Sequence, residues 1–171
     1  MILGLDVSTS KIGYCIIDYN KNLICCDVMK LKPLQLEDRA VIFCDFIKTI
    51  KKQYKIKEVF IEQPFSMFGG GKTTAMTMSK LQRFNGMCSF AVRTVFGKNP
   101  ILIAANKARG LVGIKVKRGE NTKKKVIEWV QKEYPKDFIV EFTRHGNPKP
   151  GTDDKADSIV VALAGFSELN A

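Results

Sequence analysis

Histidine is nearly absent from this 171-residue sequence, since His145 is the only one. Cysteine is scarce as well: the five cysteines are odd in number and form no C-x-x-C pair. Structural zinc sites need clustered cysteines and histidines, and a disulfide framework needs paired cysteines. Neither is therefore expected, and the cysteines are predicted to be small hydrophobic residues of a reducing compartment. His145 has no His or Cys neighbour, so we expect a surface residue and not a ligand.

Long apolar runs are also missing. No stretch of about 18 consecutive apolar residues occurs, so no transmembrane helix is expected. No basic region precedes the first apolar residues, and Asp6 interrupts them, so we expect no signal peptide and a cytoplasmic protein. An apolar fraction of 45% is ordinary for a folded domain. We expect one domain over residues 1–171.

Acidic residues are the minority charge, with 17 Asp and Glu against 28 Lys and Arg, for a net charge of +11. Such an excess favours a polyanionic partner, either nucleic acid or an anionic membrane surface. Small size and a Lys- and Ile-rich composition suggest a phage of a low-GC bacterium as the source.

The apolar periodicity predicts an alternation of strands and helices. Strands are predicted at residues 2–7, 12–18, 22–30, 57–62 and 100–105, with a further candidate at 138–142. Helices are predicted at residues 36–53, 73–96, 106–112, 122–134 and about 153–169. This order is typical of an α/β fold with a mixed five-stranded sheet flanked by helices. Helix 73–96 is apolar over a wide arc, which indicates a dimer seam or, alternatively, core packing alone.

Several carboxylates lie in apolar segments, where burying an ionised side chain costs free energy. An ionised Asp6 inside an apolar strand needs a cation or several donors. Glu62 ends another strand, and Asp154 and Asp157 share one face of the last helix. Helix capping explains Asp153, but Asp157 leads into an apolar run that must lie on the sheet. Facing carboxylates repel unless cations intervene, and hard oxygen ligands suit Mg²⁺ or Mn²⁺.

Three segments resemble the acidic motifs of the RuvC-type Holliday junction resolvases, which belong to the ribonuclease H-like superfamily. They are ILGLDVSTSKIGYCIID at 2–18, VFIEQPF at 59–65 and DDKADSIVVALAG at 153–165. The stretches NKARGLVGI at 106–114 and KKKVIEWV at 123–130 also resemble that family. The resemblance covers nearly the whole chain in the expected order, and it implies a ribonuclease H-like fold.

The resemblance also implies the residues of an active site. The implied metal-binding and catalytic acids are Asp6, Glu62, Asp154 and Asp157. Lys107 matches a catalytic lysine, and Phe65 matches an aromatic residue that acts against unstacked bases. A second lysine is expected among Lys123, Lys124 and Lys125, with its register left open by a longer loop.

The implied reaction is phosphodiester hydrolysis with two metal ions roughly 4 Å apart, leaving 5′-phosphate and 3′-hydroxyl ends. Nearby lysines would offset the charge that develops on the phosphorus oxygens. The implied substrate is a four-way DNA junction, whose near two-fold symmetry calls for paired nicks by a homodimer. Helix 73–96 is the candidate dimer seam.

The basic residues support DNA binding independently. Cations in the first turn of a helix oppose its dipole, so Lys123, Lys124 and Lys125 make sense if a phosphate binds there; a solvated basic run is the alternative. Lys115, Lys117 and Arg118 precede them in a basic loop. We expect these six residues to contact the DNA backbone.

Three other functions stay open from the residues alone. A broader nuclease for flaps, forks and branched DNA shares the same site. A DNA-binding module without catalysis would have little use for four carboxylates, which repel DNA. A sugar-kinase or actin-like ATPase needs two lobes, whereas this chain has the length of one. Gly71-Lys72-Thr73 ends like a P-loop, but Ser66 stands where that motif needs glycine, so no nucleotide cofactor is expected. Ser8 to Ser10 is predicted to be a tight turn.

Overall fold

The computed structural model describes residues 1–32, 35–64 and 74–171. These contain the strands β1 (Ile2–Val7), β2 (Lys11–Ile17), β3 (Leu23–Lys30), β4 (Glu58–Glu62) and β5 (Ile101–Ile103). The helices are α1 (Leu36–Gln53), α2 (Ala75–Phe96), α3 (Ala105–Leu111), α4 (Thr122–Glu133) and α5 (Thr152–Leu169). The predicted order of elements is confirmed, and α1 has the predicted bounds.

The strands form one mixed sheet in the order β3-β2-β1-β4-β5. β1 is antiparallel to β2 and parallel to β4, and β4 is parallel to β5. The carboxyl ends of β1, β4 and β5 therefore meet at one edge. Leu5 pairs with Ile61, so the next residues, Asp6 and Glu62, lie side by side at that edge. The predicted mixed five-stranded sheet is confirmed.

Helices cover both faces of the sheet. α1 and α2 bury one set of strand residues, including Leu5 and Ile61, while α5, with α3 and α4, buries the other set, including Ile2 and Phe60. Successive residues of a strand point to opposite faces. Asp6 and Glu62 therefore share the α5 face with Ile2 and Phe60.

Two glycines let α5 lie directly on the strands. A Cβ atom on Gly4 would stand 2.4 Å from the Ser158 carbonyl oxygen, and one on Gly13 would stand 2.1 Å from the Asp154 carbonyl oxygen. No side chain fits into such a gap. Gly13 is also the partner of Asp6 in the β1–β2 register. The start of α5 is thus seated on the sheet beside Asp6.

The predicted strand at 138–142 is wrong. Among the described residues this segment makes only one isolated bridge, from Phe142 to Pro148. Phe138 and Val140 are buried beneath the helices, while Ile139 and Phe142 are exposed. The alternation that favoured a strand is satisfied by packing without a neighbouring strand.

The cysteines and His145 have the predicted burial. Cys15 and Cys88 are buried, the other three cysteines are half-buried, and His145 is exposed. Thr74 caps α2 with its hydroxyl, which accepts a hydrogen bond from the Thr77 N–H at 3.2 Å. Within the described ranges, no helix combines the length and apolar character that crossing a bilayer requires.

Candidate active site

The turn between β1 and β2 fixes one side of the site. The Ser8 N–H and hydroxyl both donate to the Lys11 carbonyl oxygen, at 3.0 and 2.8 Å, and the Lys11 N–H donates back to the Ser8 hydroxyl at 3.2 Å. The tight turn predicted at Ser8 to Ser10 is confirmed. It places Lys11 at the start of β2, on the same face as Gly13, and therefore towards α5.

Three carboxylates gather where the sheet edge meets α5. Burial raises the pKa of Asp6 well above its usual range, and the charges of Glu62 and Asp157 raise it further. Burial and the Asp157 charge raise the pKa of Glu62 to about 7. Burial and the Asp153 charge raise the pKa of Asp157 to about 6. The site is therefore short of positive charge.

Asp154 and Asp153 are held by lysines. Asp154 is only 7% exposed, and its carboxylate accepts a hydrogen bond from Lys11 Nζ. Burial still raises the Asp154 pKa. Partial burial acts to raise the pKa of Asp153, but the hydrogen bond from Lys123 outweighs it and lowers the pKa to about 2. Gly151, not Asp153, is the N-cap of α5. The prediction of Asp153 as a helix cap is therefore wrong, because its side chain serves an ion pair.

Arg109 is a cation on the other side of the site, and sequence reasoning gave it no role at the acids. Its positive charge lowers the pKa values of Glu62 and Asp157, partly offsetting their burial. α3 begins where β5 ends, at the same edge as Glu62, because Glu62 and Ile103 are in register. The short helix packs on α5, so Arg109 lies near both carboxylates.

Lys107 does not join the acids in this structure. Its Nζ atom forms an ion pair with Glu168 Oε1 at 2.5 Å. Glu168 lies eleven residues beyond Asp157 on α5, or about 16 Å along the helix axis. The catalytic role of Lys107 stays a prediction. Phe65 lies outside the described residues, and so does the Gly71-Lys72-Thr73 segment.

The predicted DNA-contacting residues lie on one continuous stretch before and within α4. Lys115, Lys117 and Arg118 are exposed. Of the three lysines at the start of α4, Lys123 reaches an acid of α5, namely Asp153 at 2.5 Å, while Lys124 and Lys125 pair with acids nearby in sequence. Lys123 is therefore the one nearest the candidate site.

The donor set fits a divalent metal ion in chemistry. Carboxylate oxygens are the ligands that Mg²⁺ and Mn²⁺ prefer, and the raised pKa values mark negative charge without enough cations. The side chains do not yet form a closed set of ligands: among the described residues no group of three or more His, Cys, Asp and Glu is arranged to hold a metal. The Asp154 carboxylate forms an ion pair with Lys11 Nζ.

No family model matches the chain. It is 33% identical over 99 residues to the crossover junction endodeoxyribonuclease RuvC of Campylobacter hominis, an alignment that covers 56% of this chain and 60% of that relative. The chain thus spans less than two thirds of that relative's length. The RuvC of Campylobacter curvus is 27% identical over 171 residues, covering 98% of this chain and 97% of the relative.

Solved structures with the same fold carry related names. The RuvC of Thermus thermophilus in complex with a Holliday junction substrate has a TM-score of 0.70 at 14% identity, covering 99% of this chain and 95% of that chain. The yeast mitochondrial Holliday junction resolvase Ydc2 has a TM-score of 0.62 at 14% identity, covering 97% and 77%. The resemblance inferred from the acidic motifs is confirmed: curated RuvC proteins are similar to this chain in sequence, and solved structures of RuvC and of a Holliday junction resolvase share its fold.

Proposed function

We propose that this chain is a metal-dependent endonuclease that resolves four-way DNA junctions by paired nicks. The observation that carries the proposal is the meeting of Asp6, Glu62 and Asp157 at one sheet edge, where burial raises all three pKa values. Such a cluster of carboxylates, short of cations, favours divalent metal binding. The kinship with RuvC proteins supplies the substrate.

Asp6, Glu62, Asp154 and Asp157 would hold the metal, which we propose to be two Mg²⁺ or Mn²⁺ ions. Bound there, such ions supply an activated water and stabilise the leaving 3′ oxygen. For Asp154 to contribute, its carboxylate has to leave Lys11 Nζ. Arg109 and Lys123 flank the acids and are placed to attract the phosphate and offset its developing charge.

The basic stretch before and within α4 would bind the backbone of the junction arms. Lys115, Lys117 and Arg118 are exposed there, and the chain carries a net charge of +11. Phosphate contacts of this kind give affinity that falls steeply with salt. We propose that Phe65 acts against unstacked bases and that residues 1–171 work as a single nuclease domain in the cytoplasm, encoded by a phage.

A homodimer through α2 would place two sites on one junction. Met76 and Phe90 are 68% and 72% exposed, and they are fourteen residues apart, which returns to the same helix face after about four turns. Exposed large apolar side chains on one face favour a self-complementary interface. Met76→Asp with Phe90→Asp is expected to yield monomers by light scattering, and an unchanged dimer would exclude this seam.

The test of the function compares substrates. Labelled four-way junctions, flaps, forks and linear duplexes are incubated with the protein and Mg²⁺, with EDTA as the control. We expect symmetric nicks on opposite strands of the junction and slower cutting of the other substrates. Equal rates on all branched DNA would favour the broader nuclease, and binding without nicking at any metal concentration would favour a DNA-binding module.

A further inference from the structure

A groove lies beside the acid cluster, between α4 and the loop that leads into α5. Its volume is about 610 Å³, which is within the range of sites that hold small ligands. The lining combines cationic, amide and apolar side chains with two carboxylates, those of Glu128 and Asp153; among the others are Lys123, Lys124, Lys149, Asn147, Val140 and Phe142.

The groove is continuous with the candidate active site through Asp153. That carboxylate lines the groove and pairs with Lys123 at 2.5 Å through Oδ2. Its Oδ1 lies 3.9 Å from Lys11 Nζ, which in turn holds Asp154. A DNA strand with a phosphate at the acids therefore has a neighbouring nucleotide within reach of the groove.

The lysines of the groove are available to a phosphate. Lys124 pairs with Glu128 only at 3.9 Å, and Lys149 pairs with Glu141 at 3.1 Å, and all four side chains are largely exposed. Exposed ion pairs of this kind contribute little to stability, because water screens them. An incoming phosphate can therefore replace the acids as the partner of these lysines.

Phe142 is presented on a well-defined loop. The Lys149 N–H donates to the Glu141 carbonyl oxygen at 2.8 Å, and the Thr143 N–H donates to the Asn147 carbonyl oxygen at 2.8 Å. These hydrogen bonds fix the backbone on both sides of the ring, which is 56% exposed. An exposed aromatic ring among cations is suited to stack on a nucleobase.

We propose that this groove binds one nucleotide of the DNA strand being cut, with its base stacked on Phe142 and its phosphate contacted by Lys124 or Lys149. The inference deepens the proposed function and rests on it for the identity of the DNA. The strand would then be held beside the cut, which fixes the phosphate at the acids.

The test uses four-way junctions that carry 2-aminopurine at one position at a time along the crossover strands, in EDTA so that no cleavage occurs. A single-stranded oligonucleotide with the same fluorophore is titrated in parallel. Phe142→Ala removes the ring and Phe142→Tyr keeps one. Ile139→Ala is the matched control, because Ile139 is 76% exposed in the same segment but does not line the groove. Thermal melting checks that each variant folds.

Wild-type protein and Phe142→Tyr are expected to quench the fluorophore at one position next to the cut. Phe142→Ala should lose that quenching and weaken binding about tenfold, in line with the loss of one base–aromatic stack, while Ile139→Ala matches the wild type. Unchanged quenching and affinity in Phe142→Ala would overturn the proposal. Quenching of the oligonucleotide through Phe142 without any junction binding would support the groove and refute the proposed substrate.

Discussion

Replacing Glu62 by glutamine is expected to stabilise the metal-free protein. Burial and the Asp157 charge raise the Glu62 pKa from 4.5 to about 7, so the ionised side chain is disfavoured in the folded state. This rise corresponds to about 3 kcal/mol of unfavourable free energy at neutral pH. Glutamine keeps the shape and removes the charge. For a chain of this size, about 3 kcal/mol shifts Tm by roughly 6–12 °C.

The pH dependence gives the sign of the effect. A carboxyl group whose pKa is higher in the folded state contributes its full stability below pH 4.5, and this contribution falls as pH rises towards about 7. The gain from Glu62→Gln should therefore be largest near pH 7.5 and shrink to below about 1 kcal/mol at pH 5.

The assay is thermal unfolding in EDTA at both pH values, for the wild type, Glu62→Gln and Glu141→Gln. Glu141 is exposed and paired with Lys149, so its variant should change the free energy of unfolding by no more than about 1 kcal/mol. With Mg²⁺ added, the wild type should gain stability and Glu62→Gln should gain less. A lower Tm for Glu62→Gln in EDTA at pH 7.5, or a gain that does not depend on pH, would refute this reasoning.

Three further changes test the arrangement of the site. Lys11→Met should lower the free energy of unfolding of the metal-free protein by about 1–2 kcal/mol, since it leaves a buried Asp154 unpaired. Isothermal titration should show tighter Mg²⁺ binding, because Lys11 no longer competes with the metal for Asp154. Weaker Mg²⁺ binding would contradict that competition. Gly13→Ala should lower the free energy of unfolding by at least about 2 kcal/mol, because its Cβ meets the Asp154 backbone, whereas Gly86→Ala in α2, with open space around it, should be neutral or stabilising in denaturant titrations. Arg109→Ala should slow single-turnover junction cleavage at least tenfold and more than Lys107→Ala, since Lys107 is engaged by Glu168; the reverse order would restore Lys107 as the site's cation.

Most of the architecture was predictable because strong periodicity marks it. The apolar spacing of 36–53 fixes a helix, and two short apolar runs joined by Ser8 to Ser10 fix a hairpin. The segment 138–142 was misassigned because alternation shows which side chains point inward but not whether a neighbouring strand exists. Its inward residues pack beneath helices instead.

The acids of the site were predictable, and so was a lysine from the start of α4, while Lys11 and Arg109 were not. Asp6 and Glu62 stand out as charges at the ends of apolar strands. Lys11 looks like an ordinary strand-end lysine, and its partner Asp154 is 143 residues away in sequence. The available signal was strand alternation, because Lys11 is two residues before Gly13 and therefore points to the same face of the sheet. The seven residues of α3 are too few to show by periodicity which side faces α5, so Lys107 could not be told from Arg109.

The central claim is that the carboxylates at this sheet edge cut junctions with a divalent metal. Its most direct test is cleavage of an end-labelled four-way junction in Mg²⁺ by the wild type and by Asp6→Asn, with junction binding measured for both in EDTA. We predict paired symmetric nicks by the wild type, no nicks by Asp6→Asn, and binding by both proteins. Equal nicking by the two proteins would contradict the assignment of the site.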